Sequence, residues 1–416
     1  MIDFLFNRDK YECKLRISHS TVVQKSYGQE RRFFCPPPCI YLTGNGWELK
    51  KQTNQRFDGS QDYSEIRGYV NNGTDGADWQ LLDFSAGIFI AKKLCTSAED
   101  KAQFLELKVK FSYVCGIEVG EFLSKSIKVI SKPPKKRPTI RNQDCAKLFI
   151  VSGSKVALFS PRSQLVCTRY LHFENGEFLA SSTMWKAFTI HLCDDEARDS
   201  AHDGFIHYGS VVKLVDSASG SSLPKMRIRE VEKHYLILNA SCSGEPLSQL
   251  HTCAFEMIDN EKVYLSRSLE KIVPLQAKPV QGIRHQINDA AVWTFVSAVE
   301  AEYRFYEALG PVVTPITPCP MADAIEVSRA TGYSYFELLG RDFTPDLKAW
   351  FGATEVETVF KNAGKIVCKI PTSEKLKNDP YVSVLIDQTT GGYQVPITLV
   401  REDGVIYPTS LTYSFK

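Results

Sequence analysis

Leu107-Lys-Val-Lys-Phe-Ser-Tyr-Val114 alternates apolar and polar side chains, the period of a strand with one face in a core and the other in water. The same period, or a short apolar run bounded by turn residues, recurs at Ile127-Lys-Val-Ile130, Lys147-Leu-Phe-Ile-Val151, Lys155-Val-Ala-Leu-Phe159, Val211-Val-Lys-Leu-Val215, Met226-Arg-Ile-Arg-Glu-Val231, Val395-Pro-Ile-Thr-Leu-Val400 and Leu411-Thr-Tyr-Ser-Phe415. Helical patterns are scarce. Short strands broken by Gly, Ser, Asn and Pro predict an all-β chain of sandwiches or barrels rather than alternating βαβ units.

Two proline-rich stretches interrupt the strands, Ser131-Lys-Pro-Pro-Lys-Lys-Arg-Pro-Thr-Ile-Arg141 and Gly310-Pro-Val-Val-Thr-Pro-Ile-Thr-Pro-Cys-Pro320. Cutting there divides the 416 residues into 1–140, 141–312 and 313–416, each the size of one ordinary domain. The middle piece shows no legible internal period. Lys and Arg number 50 against 48 Asp and Glu, a net charge of +2, so any hold on a polyanion must come from local clusters. With 43% hydrophobic and 24% charged residues the composition is globular and excludes collagen-like or largely disordered chains. No apolar run approaches the ~18 residues needed to cross a bilayer, and a soluble intracellular protein without membrane attachment is expected. The entry Asp3-Phe-Leu-Phe6 suggests a chain continuing from a preceding segment.

An enzyme finds no support. Gly-x-Gly-x-x-Gly, Walker, His-Glu-x-x-His and Gly-x-Ser-x-Gly patterns are absent. The eight histidines are scattered, with His191, His207 and His234 in strand-like contexts that suit structural roles. The 12 cysteines read mainly as buried thiols. Cys35 and Cys39 lack a second Cys or His pair at zinc spacing. Asp194-Asp195-Glu196 lacks the further oxygen ligand of a calcium loop. No metal or other cofactor is expected.

Positive charge is better organised, in three places. Lys125, Lys128, Lys132, Lys135, Lys136, Arg137 and Arg141 occur with no acid among them, a local field suited to phosphates, though a solvated linker or a nuclear-import signal explains Lys135-Lys136-Arg137 equally well. In Gln24-Lys-Ser-Tyr-Gly-Gln-Glu-Arg-Arg-Phe-Phe-Cys-Pro-Pro-Pro-Cys39 a loop presents Lys25, Tyr27, Arg31 and Arg32. Phe33 and Phe34 are then expected to re-enter the core, with the triple proline stiffening the exit. An arginine on such a loop can reach guanine O6 and N7 with both prongs of its guanidinium; the competing expectation is a basic hairpin with Arg31 paired to Glu30 or to an acid elsewhere. Third, Arg162-Ser163-Gln164 puts a cation, a hydroxyl and an amide on one turn after a strand, a group suited to the minor groove.

Gln24-Lys-Ser-Tyr-Gly through Cys39, Ile127-Lys-Val-Ile-Ser-Lys-Pro133, Arg162-Ser-Gln164, Thr168-Arg-Tyr-Leu-His172, Asp203-Gly-Phe-Ile-His-Tyr-Gly209, Ser248-Gln-Leu-His251 and Val400-Arg-Glu-Asp-Gly404 together resemble the CSL family, the DNA-binding proteins of Notch signalling known as Suppressor of Hairless or RBP-J. Ser241-Cys-Ser243, Met257-Ile-Asp-Asn-Glu261, Arg284-His-Gln-Ile-Asn-Asp289 and Gly340-Arg-Asp-Phe343 are similar to nematode members. The resemblance implies an N-terminal Rel-like sandwich, a β-trefoil and a C-terminal Rel-like, immunoglobulin-type sandwich, placed in the nucleus and acting as a monomer on double-stranded DNA of GTGGGAA type. It implies a repressor or activator that recruits co-repressors, or the Notch intracellular domain with a Mastermind-type co-activator.

By the same resemblance the major-groove loop maps onto Lys25, Tyr27, Arg31 and Arg32, and the minor-groove turn onto Arg162, Ser163 and Gln164. Phosphate contacts map onto Lys125, Lys128, Lys132 and Lys135. Ser160-Pro161 makes the minor-groove turn one residue shorter than the family's and removes an arginine. Ser97-Ala-Glu-Asp-Lys-Ala-Gln-Phe104 replaces a more basic segment. The trefoil pocket for an apolar Notch anchor maps onto Asp199, Ala201, Lys213, Ser222 and Pro274, where a carboxylate stands for an aromatic, alanine for valine and proline for glutamine. Two alternatives stay open: a Notch-independent DNA-binding repressor with a degraded pocket, and a β interaction protein that binds no DNA.

Overall fold

The computed structural model describes residues 1–57, 65–73, 77–96, 102–134, 147–160, 168–193, 204–232, 234–237, 246–280, 284–309, 312–330, 333–381 and 392–415. The architecture is all β, as the alternation predicts, with one exception of length. Gly46–Phe57 is a 12-residue helix that the sequence pattern conceals, because its apolar content is sparse. Trp47 fixes it by burying its ring edge-on against Phe305 and donating Nε1–H to the Lys14 carbonyl at 3.0 Å.

The N-terminal part layers the sheet built on Cys13–Ser20 and Cys39–Thr43 over a four-stranded sheet containing Lys108–Tyr113. In that strand Val109, Phe111 and Tyr113 are buried while Lys108, Lys110 and Ser112 are half-exposed, the alternation read from the sequence. Ile127–Ile130 pairs in parallel with Val22–Gln24, bringing the start of the basic stretch alongside the start of the loop at Lys25.

The middle part is a β-trefoil. Lys155–Ser160, Phe188–Leu192, Val211–Val215, Met226–Glu232, Thr252–Met257 and Trp293–Glu307 pair in a closed ring of six strands. Around its axis Ile206 donates its N–H to Ile150 O (2.9 Å), Leu247 to Ile206 O (2.6 Å) and Ile150 to Leu247 O (2.9 Å), a cyclic set that satisfies three buried peptide groups at the point of convergence. The repeat that escaped the sequence reading is here. Phe149-Ile-Val-Ser-Gly-Ser-Lys-Val-Ala-Leu158, Phe205-Ile-His-Tyr-Gly-Ser-Val-Val-Lys-Leu214 and Pro246-Leu-Ser-Gln-Leu-His-Thr-Cys-Ala-Phe255 begin 56 and then 41 residues apart. Each turns at its fifth residue with positive φ, +83° at Gly153, +91° at Gly209 and +64° at Leu250. Leucine in the third copy and the unequal spacing erase the sequence period. The inequality is structural: Arg169–Glu174 with Glu177–Ser181, and Val263–Ser268 with Lys271–Gln276, form hairpins in the first and third repeats. In the second repeat residues 216–225 make only a tight reversal, with Ser222 bridged to Val215, and no two-strand hairpin.

The C-terminal part sets the sheet of Met321–Ala330, Tyr333–Arg341, Lys365–Lys369 and Thr358–Asn362 against Leu347–Phe351, Tyr393–Arg401 and Val405–Phe415. Its apolar interior is continuous with that of the N-terminal part. The second proline-rich stretch lies between them, where Ile316 donates its N–H to Val119 O (2.8 Å) and Thr317 Oγ1 accepts from Glu121 N–H (2.9 Å).

His19 sits wholly buried in Cys13–Ser20, its Nδ1 2.9 Å from the Ser20 carbonyl and its Nε2 without a hydrogen-bond partner among the described residues. Burial holds its pKa down to about 4. An unfolded His binds a proton near pH ~6.5 and the folded one does not, so this residue's contribution is complete above ~6.5 and is lost as pH falls toward 4. Urea unfolding between those limits should show stability declining with acid, and His19→Gln should flatten part of that slope. An unaltered slope would remove His19 as its source.

Candidate nucleic-acid interface

The loop between Val22–Gln24 and Arg32–Phe33 is held by a chain of hydroxyls. Arg32 N–H donates to Ser26 Oγ (2.9 Å), Ser26 Oγ to Thr96 Oγ1 (2.9 Å) and Thr96 Oγ1 to the Gln24 carbonyl (3.1 Å), while Ser26 N–H also donates to Thr96 Oγ1 (2.9 Å). Donors and acceptors run in one direction, so each bond polarises the next. Both hydroxyls are buried. The turn closes through Glu30 N–H to Tyr27 O at 3.0 Å, with Gly28 at φ +57°.

This frame projects Tyr27 and Arg31 into solvent. Arg32 is paired with Glu30 at 3.1 Å and its guanidinium carbon lies 5.8 Å from the Tyr27 ring centre. The acidic partner of the loop therefore engages Arg32, where the sequence suggested Arg31. A second correction concerns the two phenylalanines. Phe34 is 3% exposed and enters the core, but Phe33 is 51% exposed. Successive residues of an extended segment point to opposite sides, so only one of the pair can face inward.

The basic stretch divides. Lys132 is exposed just beyond Ile127–Ile130, next to Ser131, whose carbonyl accepts from Gln24 Nε2 (3.0 Å). It belongs with the loop. Lys125 and Lys128 instead line a groove of 810 Å³ with Lys147, Lys155, Phe104 and Phe149 at the seam with the trefoil, and the Lys128 amine sits 4.9 Å from the Phe104 ring centre. Lys135, Arg162, Ser163, Gln164, Asp199 and Ala201 lie outside the described residues. Lys213 is exposed in Val211–Val215, Ser222 half-buried in the hairpin-free connection, and Pro274 exposed on Lys271–Gln276; strand pairing does not join these last two elements among the described residues.

The triple proline does more than stiffen an exit. Pro37 O accepts from Trp185 Nε1 at 2.8 Å, and Cys35 Sγ lies 3.8 Å from the Tyr170 hydroxyl. Cys39, Ile90, Phe159, Tyr170, Trp185 and Val296 pack into one cluster. Residues 35–39, which follow the loop at 25–32, thus pack with Phe159 and Tyr170 of the strands flanking residues 161–167. Burial pushes the Cys35 and Cys39 thiols up to about 12, which keeps them protonated packing groups. Ser26, Thr96 and Trp185 had no sequence signal, because their partners are 70 or more positions away or follow only from the packed seam.

A β-trefoil joined to two sandwiches, with basic side chains on a pre-formed loop, is the frame of a DNA-binding protein and not of an enzyme. Residues 15–144 match the family described as LAG1, DNA binding, residues 174–293 the beta-trefoil DNA-binding domain, and residues 319–415 a TIG domain. The chain is 37% identical to the human recombining binding protein suppressor of hairless-like protein over 425 aligned positions, covering 97% of this chain and 79% of the relative. The mouse protein of the same description is 37% identical over 429 positions, covering 98% and 80%. Transcription factor cbf11 of Schizosaccharomyces pombe is 27% identical over 321 positions, covering 72% and 46%. Among solved structures, the Plexin A4 extracellular region matches with a TM-score of 0.17 and 8% identity over 95% of this chain and 33% of that one, too low to indicate a shared fold. The chain belongs to the CSL family of DNA-binding transcription factors.

Thr96→Val keeps the shape but leaves the buried Ser26 N–H without an acceptor, at a cost of about 1–3 kcal/mol. DNA affinity should fall while the slope of log K on log salt stays unchanged, since no phosphate contact is removed. A steeper or shallower slope in salt-titrated gel shifts would contradict a purely positioning role.

Proposed function

We propose that this protein reads a short duplex site with its first two parts, in the nucleus, as a monomer. Lys25, Tyr27, Arg31 and Arg32 enter the major groove, Arg162, Ser163 and Gln164 the minor groove, and Lys125, Lys128, Lys132 and Lys135 meet phosphates. The observation that carries this reading is the hydroxyl-tethered loop, which holds Arg32 by its own backbone N–H. An exposed pair such as Arg32 with Glu30 is worth about 0–1 kcal/mol, whereas a bidentate contact to guanine discriminates by about 1–3 kcal/mol, so Arg32 can leave its acid for a base. Arg32→Ala should weaken binding to a GTGGGAA-type duplex by about 1–3 kcal/mol and relax preference at one guanine. Lys132→Ala should weaken all duplexes alike and lower the salt slope by about one. An Arg32→Ala protein that retained both affinity and site ranking would overturn the loop's assignment.

We further infer that the trefoil engages a Notch intracellular segment poorly while DNA binding persists. Asp199 and Ala201 replace the aromatic and valine that the family resemblance implies, and Pro274 is exposed where an amide is usual. Losing one aromatic hot-spot contact is worth about 2–4 kcal/mol, and a carboxylate facing an apolar anchor adds desolvation. Calorimetry should give a standard Notch peptide an affinity at least about tenfold below that of typical relatives. Asp199→Phe with Ala201→Val should restore it, and a family-typical affinity in the unaltered protein would sink the proposal.

A further inference from the structure

The trefoil contains a pair of arginines that none of the elements above uses. Arg267 lies in Val263–Ser268, only 8% exposed, with its Nε buried and unbonded. Arg169 begins Arg169–Glu174, and its Nε is likewise buried without an acceptor. Among the described residues it pairs with Glu270 at 3.4 Å, a carboxylate 73% exposed. The nearby Asp289 carboxylate is already engaged by His234 Nδ1 at 2.9 Å. Burial and then the like charge of Arg169 hold the Arg267 guanidinium below the usual arginine range, with Asp289 opposing them.

The two side chains belong to one place. Glu270, the partner of Arg169, sits in the turn of the hairpin that carries Arg267, and its carbonyl accepts from Ala180 N–H at 2.8 Å. Ser160 faces Arg169 across the strand pair that brackets residues 161–167, and Ser160 Oγ donates to Asp289 O at 3.2 Å. Two guanidiniums with buried, unmet donors are costly in the free protein. A tetrahedral oxyanion can accept from two guanidinium forks at once.

We propose that Arg169 and Arg267 clamp a backbone phosphate of the bound duplex, beside the strand ends that bracket residues 161–167. This rests on the DNA-binding reading above. It adds a phosphate contact from the third trefoil repeat, whose hairpin carries no other assigned DNA contact.

The test is Arg267→Met in the full chain. Removing an uncompensated buried charge should leave the melting temperature equal or higher. Affinity for consensus and scrambled duplexes should fall alike by roughly three- to tenfold, and the slope of log K on log salt should drop by about 0.9. Unchanged affinity and slope would overturn the clamp, while failure of the wild type itself to bind either duplex would overturn the wider DNA reading instead. Melting in inorganic phosphate against sodium chloride separates the sources of the anion. A rise in the wild type alone, with the DNA slope unaltered in Arg267→Met, would assign the pair to free phosphate and remove the DNA contact. Should the Met variant not fold, Arg169→Met, at the outer edge of the pair, carries the same slope criterion.

Discussion

The strand Trp293–Glu307 is the constraint on which the remaining structure depends. Over its 15 residues it pairs with Thr252 and Cys253 and with Val156–Phe159 in the trefoil, with Cys13–Ser20 of the N-terminal part, and with Val405 and Ile406 of the C-terminal part. A slip of one residue would turn every side chain of the strand to the opposite face in all three parts at once. Both ends are locked against that: Trp293 donates Nε1–H to Leu265 O at 2.9 Å, and Glu307 pairs with the buried Lys50 amine at 2.5 Å. One backbone register therefore sets how the basic loop, the trefoil and the C-terminal sandwich face one another.

That rigidity matters because the protein has little bulk charge to spend on DNA. At a net +2, non-specific attraction is weak, and binding has to be concentrated in a few cations held at defined positions. The hydroxyl chain through Ser26 and Thr96 holds one such position from inside the fold, and the packing of Pro37 against Trp185 couples it to the trefoil. Interactions that must be exchanged on binding are the exposed, cheap ones, such as Arg32 with Glu30. Those that must persist are buried and saturated.

The trefoil illustrates how a repeat can be exact in backbone terms and nearly invisible in letters. What recurs is a peptide group on the axis, a residue with positive φ and apolar residues three and five positions later. Glycine, glycine and leucine all serve at the second of these. The hairpins differ among the repeats, and the second lacks a strand-paired one, which leaves Lys213 exposed where Ala157 and Ala254 of the other repeats are buried.

The sequence alone determined the β class and the faces of strands such as Lys108–Tyr113, because side-chain alternation is a local property of an extended backbone. The order of basic and apolar residues likewise sufficed to single out the loop at Lys25 to Arg32 and to indicate the CSL family. Tertiary structure alone decided that Phe33 faces out while Phe34 faces in, that Arg32 rather than Arg31 meets Glu30, and that Lys125 and Lys128 share a groove with trefoil lysines. It also decided that Gly46–Phe57 is a helix, through Trp47 packing on Phe305. The groove and the helix depend on partners far along the chain, as do the unmet Nε donors of Arg169 and Arg267. A one-dimensional pattern carries the periodicity of the backbone, but not which distant group is left to satisfy a buried donor.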